Sequence, residues 1–103
     1  MPDLPYAVRT TRAADKDLRA LRPWTEVIED ILLRLGDAPY QGEPLSGSLR
    51  DVRSLHFSLK GSGAYRAAYL VLEDEGAVLV FMIASRENFY AEAARRHHAL
   101  RSR

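Results

Sequence analysis

Leu49-Arg50-Asp51-Val52-Arg53-Ser54-Leu55-His56-Phe57-Ser58-Leu59, then Lys60-Gly61-Ser62-Gly63, then Ala64-Tyr65-Arg66-Ala67-Ala68-Tyr69-Leu70-Val71-Leu72: this stretch decides the fold. A second break, Glu73-Asp74-Glu75-Gly76, leads into Ala77-Val78-Leu79-Val80-Phe81-Met82-Ile83-Ala84. Three strand-length runs rich in β-branched, aromatic and leucine residues are separated by short breaks that contain glycine. That pattern predicts an antiparallel three-strand meander. The third run is apolar at every position, so both of its faces should be covered. In the first run Leu55, Phe57 and Leu59 share one face, and Ser54, His56 and Ser58 share the other, because side chains alternate along a strand. The apolar set should meet helices, which leaves His56 on a more open face. In the second run Tyr65, Ala67 and Tyr69 alternate with Arg66, Ala68 and Leu70, and periodicity alone does not orient that strand.

Upstream, Tyr6-Ala7-Val8-Arg9-Thr10 reads as a short strand. Thr11 can cap a following helix, since its hydroxyl can accept a free backbone N–H of the first turn. Ala14, Leu18 and Leu21 fall at i, i+4 and i+7 on that helix. Pro23 separates it from a second one. Trp24, Val27, Ile28, Ile31, Leu32 and Leu35 form the apolar stripe of this second helix, with Gly36 placed to cap its end. The two helices should form a hairpin on one face of the sheet. Gly36 to Gly47 reads as a loop. Downstream, about Asn88 to Leu100 carries Phe89, Ala93, Arg96 or His97, and Leu100 at helical spacing. So polar a segment suggests a short C-terminal helix that docks loosely or contacts a partner. The predicted fold class is therefore α+β. A small antiparallel β-sheet, made of the N-terminal strand plus the three-strand meander, carries a helical hairpin on one face and ends in a short C-terminal helix.

The chain has 103 residues, a length that suits one domain spanning 1–103. It contains no cysteine, so disulfides and thiolate zinc sites are excluded. Residues 9–22 are rich in charge and do not resemble a secretory signal. The longest apolar run, Ala77–Ala84, is far short of the ~20 residues of a membrane helix. These features lead us to expect a cytoplasmic protein without a membrane partner. Net charge is +1 but uneven: residues 1–48 hold six Lys/Arg against eight Asp/Glu, and residues 49–103 hold nine against six. The basic excess travels with the meander and the C-terminal segment. It permits an anionic partner without demanding one. His97-His98 is not a metal signal, because adjacent helical residues point about 100° apart. Gly61-x-Gly63 is a hairpin turn and not a phosphate loop, because no helix follows it.

Three motifs recur together: Gly42-x-Pro44-Leu45-x-Gly47 before the meander, Ala64-Tyr65-Arg66-x-x-Tyr69 on its second strand, and Arg86-x-x-x-Tyr90 after its last strand. Their order and spacing, along with the order of elements, resemble the RelE/ParE family of bacterial toxins. The resemblance implies the toxin of a type II toxin–antitoxin pair, neutralised by a cognate antitoxin protein. Its RelE branch cuts messenger RNA on the ribosome, with no cofactor and no metal. Its ParE branch instead poisons DNA gyrase on the same fold, and a non-catalytic interaction module is a third possibility, since fold does not fix function. The RelE reading is the one expected here, with ribosome and mRNA as partners.

Cleaving RNA without a metal needs a base for the 2′-OH, positive charge for the phosphorane-like transition state, and help for the departing 5′-oxygen. The resemblance implies that Arg66 contacts the scissile phosphate. It implies that Arg86 stabilises transition-state charge and assists the leaving group, and that Tyr90 stacks on or orients a nucleotide. Well-known members carry two lysines on the first meander strand; here His56 and Ser58 stand in the alternating positions. His56 is the candidate base, since imidazole titrates near neutrality. Arg53 and Lys60 are candidate contacts to the RNA backbone. Against these stand plainer roles: a surface ion pair for Arg66, a loop anchor for Arg86, helix packing for Tyr90 and a half-exposed strand position for His56.

Overall fold

The structure is a computed structural model. It describes residues 5–21, 24–59, 63–85, 87 and 89–101, without the side chains of Trp24 and Leu59. Lys60 and Arg86 lie outside the described residues, as do the side chains of Trp24 and Leu59.

The meander forms as its sequence requires. β3 (Val52–Leu59) pairs antiparallel with β4 (Gly63–Leu72), which pairs antiparallel with β5 (Ala77–Ser85). Gly76 adopts a left-handed conformation (φ 58°) that an L side chain rarely takes, and it closes the turn into β5. Two further strands complete the sheet in the order β1-β5-β4-β3-β2. β2 is the two-residue strand Glu43–Pro44 on the outer edge of β3. β1 (Ala7–Thr10) lies beside β5 and runs parallel to it, with Ala7 opposite Ala77 and Thr10 opposite Val80. The sheet is therefore mixed, which corrects the expectation of an antiparallel sheet throughout. β5 is buried along most of its length and its outer edge must be paired. β1 satisfies part of that edge, and its direction is tied at both ends: Ala7 N donates to Gly76 O, and Thr11 N donates to Val80 O.

The hairpin is α1 (Arg12–Arg19) and α2 (Trp24–Asp37). Thr11 caps α1 as its sequence predicts, the hydroxyl accepting from Ala14 N at 3.1 Å. Gly36 does not end α2; the helix continues to Asp37, and the Gly36 carbonyl accepts from Tyr6 N instead. Ala14, Leu18, Val27, Ile31 and Leu35 of the hairpin are buried against Leu55, Phe57, Ala67, Tyr69, Val78, Val80 and Ile83. Each such large apolar side chain stabilises by about 1.5–3 kcal/mol on burial.

The second face of the sheet has its own core: Leu49, Val52, Ala68, Phe81 and Met82, covered by Phe89 and Ala93 of α3 (Phe89–Arg101). A bulge in β5 makes this possible. Ala68 pairs with Met82 but Tyr69 pairs with Val80, so Phe81 is the extra residue and both Phe81 and Met82 join the same cluster. α3 is not loosely docked. Phe89, Ala93 and His97, spaced i, i+4 and i+8, are 1%, 0% and 4% exposed. The sequence places this face but understates its burial, because His97 counts as polar and is buried through its contact with Asp51 (Nε2 to Oδ2, 3.0 Å).

Candidate functional site

His56 and Arg66 stand directly opposite each other on β3 and β4. Cross-strand partners share a face, so both project on the side that α3 partly covers. This settles the orientation of β4. Tyr65 and Tyr69 go to the hairpin side, where Tyr65 stacks on Phe57 at 5.9 Å between ring centroids. Arg66 goes to the other.

The first turn of α3 meets Arg66 there. Its guanidinium carbon lies 5.4 Å from the centre of the Phe89 ring and 6.0 Å from that of Tyr90, and Nη1 is 3.5 Å from the Tyr90 hydroxyl. Phe89 is buried and Tyr90 is 57% exposed, their rings meeting edge to face at 5.5 Å. Aromatic faces attract the cation without neutralising it. Among the described residues Arg66 has no carboxylate partner, so the surface ion pair weighed for it is not formed. Its charge is held in place and left free to meet an anion.

His56 is half-exposed, and its Nε2 lies 3.7 Å from Oε2 of Glu43 on β2. Its carbonyl, on the edge of β3 past the end of β2, accepts from Arg34 of α2 at 3.4 Å. Glu43 was not singled out in the sequence. Its signal was its place in Gly42-x-Pro44, but only the pairing of Glu43 with Ser54 brings it beside His56.

Arg53 is not part of this group. It lies on the hairpin side of β3, opposite Tyr69, and its Nη1 donates to Tyr40 O at 2.9 Å and Gly42 O at 2.8 Å. The guanidinium also covers the Tyr40 ring at 5.1 Å. It pins the loop that carries Glu43. The motif glycine has a steric reason: Gly42 N donates to the Tyr69 hydroxyl at 2.9 Å, and a Cβ at Gly42 would come within 2.5 Å of that oxygen and 2.8 Å of Ser54 O. Burial pushes the Tyr69 phenol above its ordinary pKa, opposed by the Gly42 amide and the Arg53 charge. Tyr69 is thus a structural member of its motif, and Arg66 is the half-buried member that faces the site.

Two polar ties hold α3. His97 meets Asp51, as described. Arg96 donates through Nη1 to Asp17 Oδ2 at 2.6 Å and to Phe81 O at 3.2 Å, through Nη2 to Asp17 Oδ1 at 3.2 Å, and through Nε to Glu92 at 2.9 Å. Asp17, then Glu92, raises the Arg96 pKa against the effect of burial. Glu92, gripped first by Arg95 and then by Arg96, is held below the ordinary carboxylate range. Nothing in the sequence pairs residues 79 positions apart, and this network was not foreseen.

Known proteins share this architecture. The family model of the ParE-like toxin of type II bacterial toxin–antitoxin systems matches residues 8–94. The chain belongs to this family and is the toxin of such a system. No curated protein sequence matches it. Among solved structures, it is similar to the RelBE2 toxin–antitoxin complex of Mycobacterium tuberculosis, at 27% identity and a TM-score of 0.70, over 82% of this chain and 95% of that one. It shares its fold with a free E. coli RelE carrying arginine substitutions (24% identity, TM-score 0.69, 90% of this chain and 98% of that). The archaeal RelE–RelB complex of Pyrococcus horikoshii shares the fold at 16% identity and a TM-score of 0.55, over 82% and 98% of the two chains. Several of these neighbours are complexes with antitoxins, which supports an antitoxin as partner here. Among the described residues no helix is long and apolar enough to cross a membrane.

Proposed function

We propose that this toxin is a ribosome-dependent mRNA endoribonuclease that inhibits translation in the cytoplasm. The observation that carries the reading is the pairing of His56 with Arg66 on one half-open face, with Arg66 seated on Phe89 and Tyr90 and bearing no carboxylate partner among the described residues. In the proposed reaction His56 takes the proton of a ribose 2′-OH. The 2′-oxygen attacks the adjacent phosphorus, and the P–O5′ bond breaks. The products are a 2′,3′-cyclic phosphate and a 5′-hydroxyl end once a proton reaches the departing oxygen. Arg66 supplies a planar fork for two phosphate oxygens, whose negative charge grows in the transition state. Tyr90 offers an exposed ring on which a base can stack. Arg86 is assigned the leaving-group side by family resemblance, and Lys60 a backbone contact. Arg53 fits that second role poorly, since it lies on the face opposite His56 and its Nη1 is held by the Tyr40 and Gly42 carbonyls.

The ParE-like name of the matching family favours a second reading, a gyrase inhibitor that uses the same exposed Arg66–Tyr90 surface for binding alone. One experiment separates them. The protein is induced in cells without antitoxin, and mRNA 5′ ends are mapped. New 5′ ends inside open reading frames, absent with the Arg66→Ala variant, support cleavage. Growth arrest with no new ends contradicts it and favours the gyrase reading.

A further inference from the structure

The outer edge of β5 changes partner partway along. β1 leaves it after the Thr10–Val80 pair, and the bulge at Phe81 follows at once. Beyond that point two side chains from different helices serve the edge. Asp17 of α1 accepts from Ile83 N at 3.0 Å, and Arg96 of α3 donates to Phe81 O at 3.2 Å. These side chains then bind each other through both carboxylate oxygens and both terminal nitrogens, at 2.6 and 3.2 Å. They are only 19% and 20% exposed, so the contact is shielded on most sides. The result is a clamp in which α1, the β5 edge and α3 meet at one carboxylate.

The clamp closes at Arg96, near the middle of α3, and the site lies at the N-terminal end of the same helix. Arg96 follows Tyr90 by six positions, about 9 Å along a rigid helix axis. Tyr90 itself has little to locate it. Its ring is exposed and touches Phe89 by an edge; its contacts with Arg66 are long, 3.5 Å at the hydroxyl and 6.0 Å from guanidinium to ring centre. Where Tyr90 stands is therefore set by where α3 lies. On one side α3 is fixed by Asp17 and on the other by Asp51 through His97.

We propose that Asp17 and Arg96 form a positioning pair for the site: by clamping α3 to α1 and to the β5 edge, they set the Tyr90 ring and hydroxyl against Arg66. Neither residue touches the RNA; they act through Tyr90. This rests on the cleavage reading above. A displacement of about 1 Å at a reacting group can cost up to a hundredfold in rate, so the clamp need not move far to matter.

The test is a double-mutant cycle on cleavage of ribosome-bound mRNA, with Asp17→Asn, Tyr90→Ala and both together. Asn keeps an oxygen for Ile83 N and removes the charge that holds Arg96. Asp17→Asn alone is expected to lose about tenfold in kcat with KM little changed. In the Tyr90→Ala background the same change should cost no more than about twofold, because there is no Tyr90 left to misplace. An undiminished tenfold loss in that background would show a general structural effect and overturn the proposal. A second readout needs no activity. Proton NMR contacts between the Tyr90 ring and the Arg66 side chain should weaken in folded Asp17→Asn protein, and their full retention would overturn the proposal as well. If Asp17→Asn does not fold, Arg96→Lys, which keeps the charge and loses the fork, takes its place in both measurements. If the unaltered protein cuts no mRNA, the cleavage reading fails, and the NMR arm still decides whether the clamp places Tyr90.

Discussion

The same three strands present two unlike surfaces. Toward the hairpin, β3, β4 and β5 offer Leu55, Phe57, Ala67, Tyr69, Val78 and Val80, closed over by two helices. Its polar groups are mostly spent on the fold: the Tyr69 hydroxyl accepts from Gly42 N, and Arg53 Nη1 donates to two carbonyls. Toward α3 the same strands offer His56 and Arg66 in a cross-strand pair, covered only at one end by a single helix whose Tyr90 stays exposed. The alternation of side chains across a pleated sheet lets one strand do both tasks, since neighbours such as Leu55 and His56 are separated by the thickness of the sheet. The difference teaches that stability and chemistry can be changed independently here, even at adjacent positions.

Leu55→Ala should break the hairpin face. Leu55 is 2% exposed within the main cluster, and truncation should cost about 2–5 kcal/mol, read as a lower midpoint of chemical denaturation. A cost under ~1 kcal/mol would mean that this face is not the tightly packed one. Gly42→Ala should come next, at about 1–3 kcal/mol, because the added methyl meets the Tyr69 hydroxyl and the backbone oxygen of Ser54, and a backbone atom cannot swing aside. The same denaturation measurement checks it, and an unchanged midpoint would show that the loop moves freely away from the sheet.

Much of this division could be read before the structure. The alternation Leu55-His56-Phe57 assigned the faces of β3, the glycine breaks placed the meander, and the i, i+3, i+4 stripe placed α2. What stayed hidden shares a physical cause: it depends on pairings that are distant in sequence. β1 pairs with β5 across 70 residues, and no local period tells parallel from antiparallel. The uniform apolar run of β5 concealed the bulge that turns both Phe81 and Met82 to one side. α3 looked weakly amphipathic because Arg96 and His97 count as polar, while Asp17 and Asp51, which let them be buried, lie 79 and 46 positions away. For the candidate site, the motif spacing brought out Arg66 and Tyr90, and alternation brought out His56. The pairing of β2 with β3 was needed to bring Glu43 beside His56, and the pairing of Arg53 with Tyr69 was needed to show that the candidate RNA contact at Arg53 lies on the far face.

The claim at the centre is that the face under α3 performs the cleavage and the face under the hairpin does not. Single-turnover cleavage of ribosome-bound mRNA by purified Arg66→Ala protein, with its denaturation midpoint measured alongside, tests this most directly. The account predicts a rate lower by about 10²–10³-fold, from the loss of a preorganised charge on the phosphate, at an unchanged midpoint. Cleavage at the unaltered rate by a fully folded Arg66→Ala protein would contradict it.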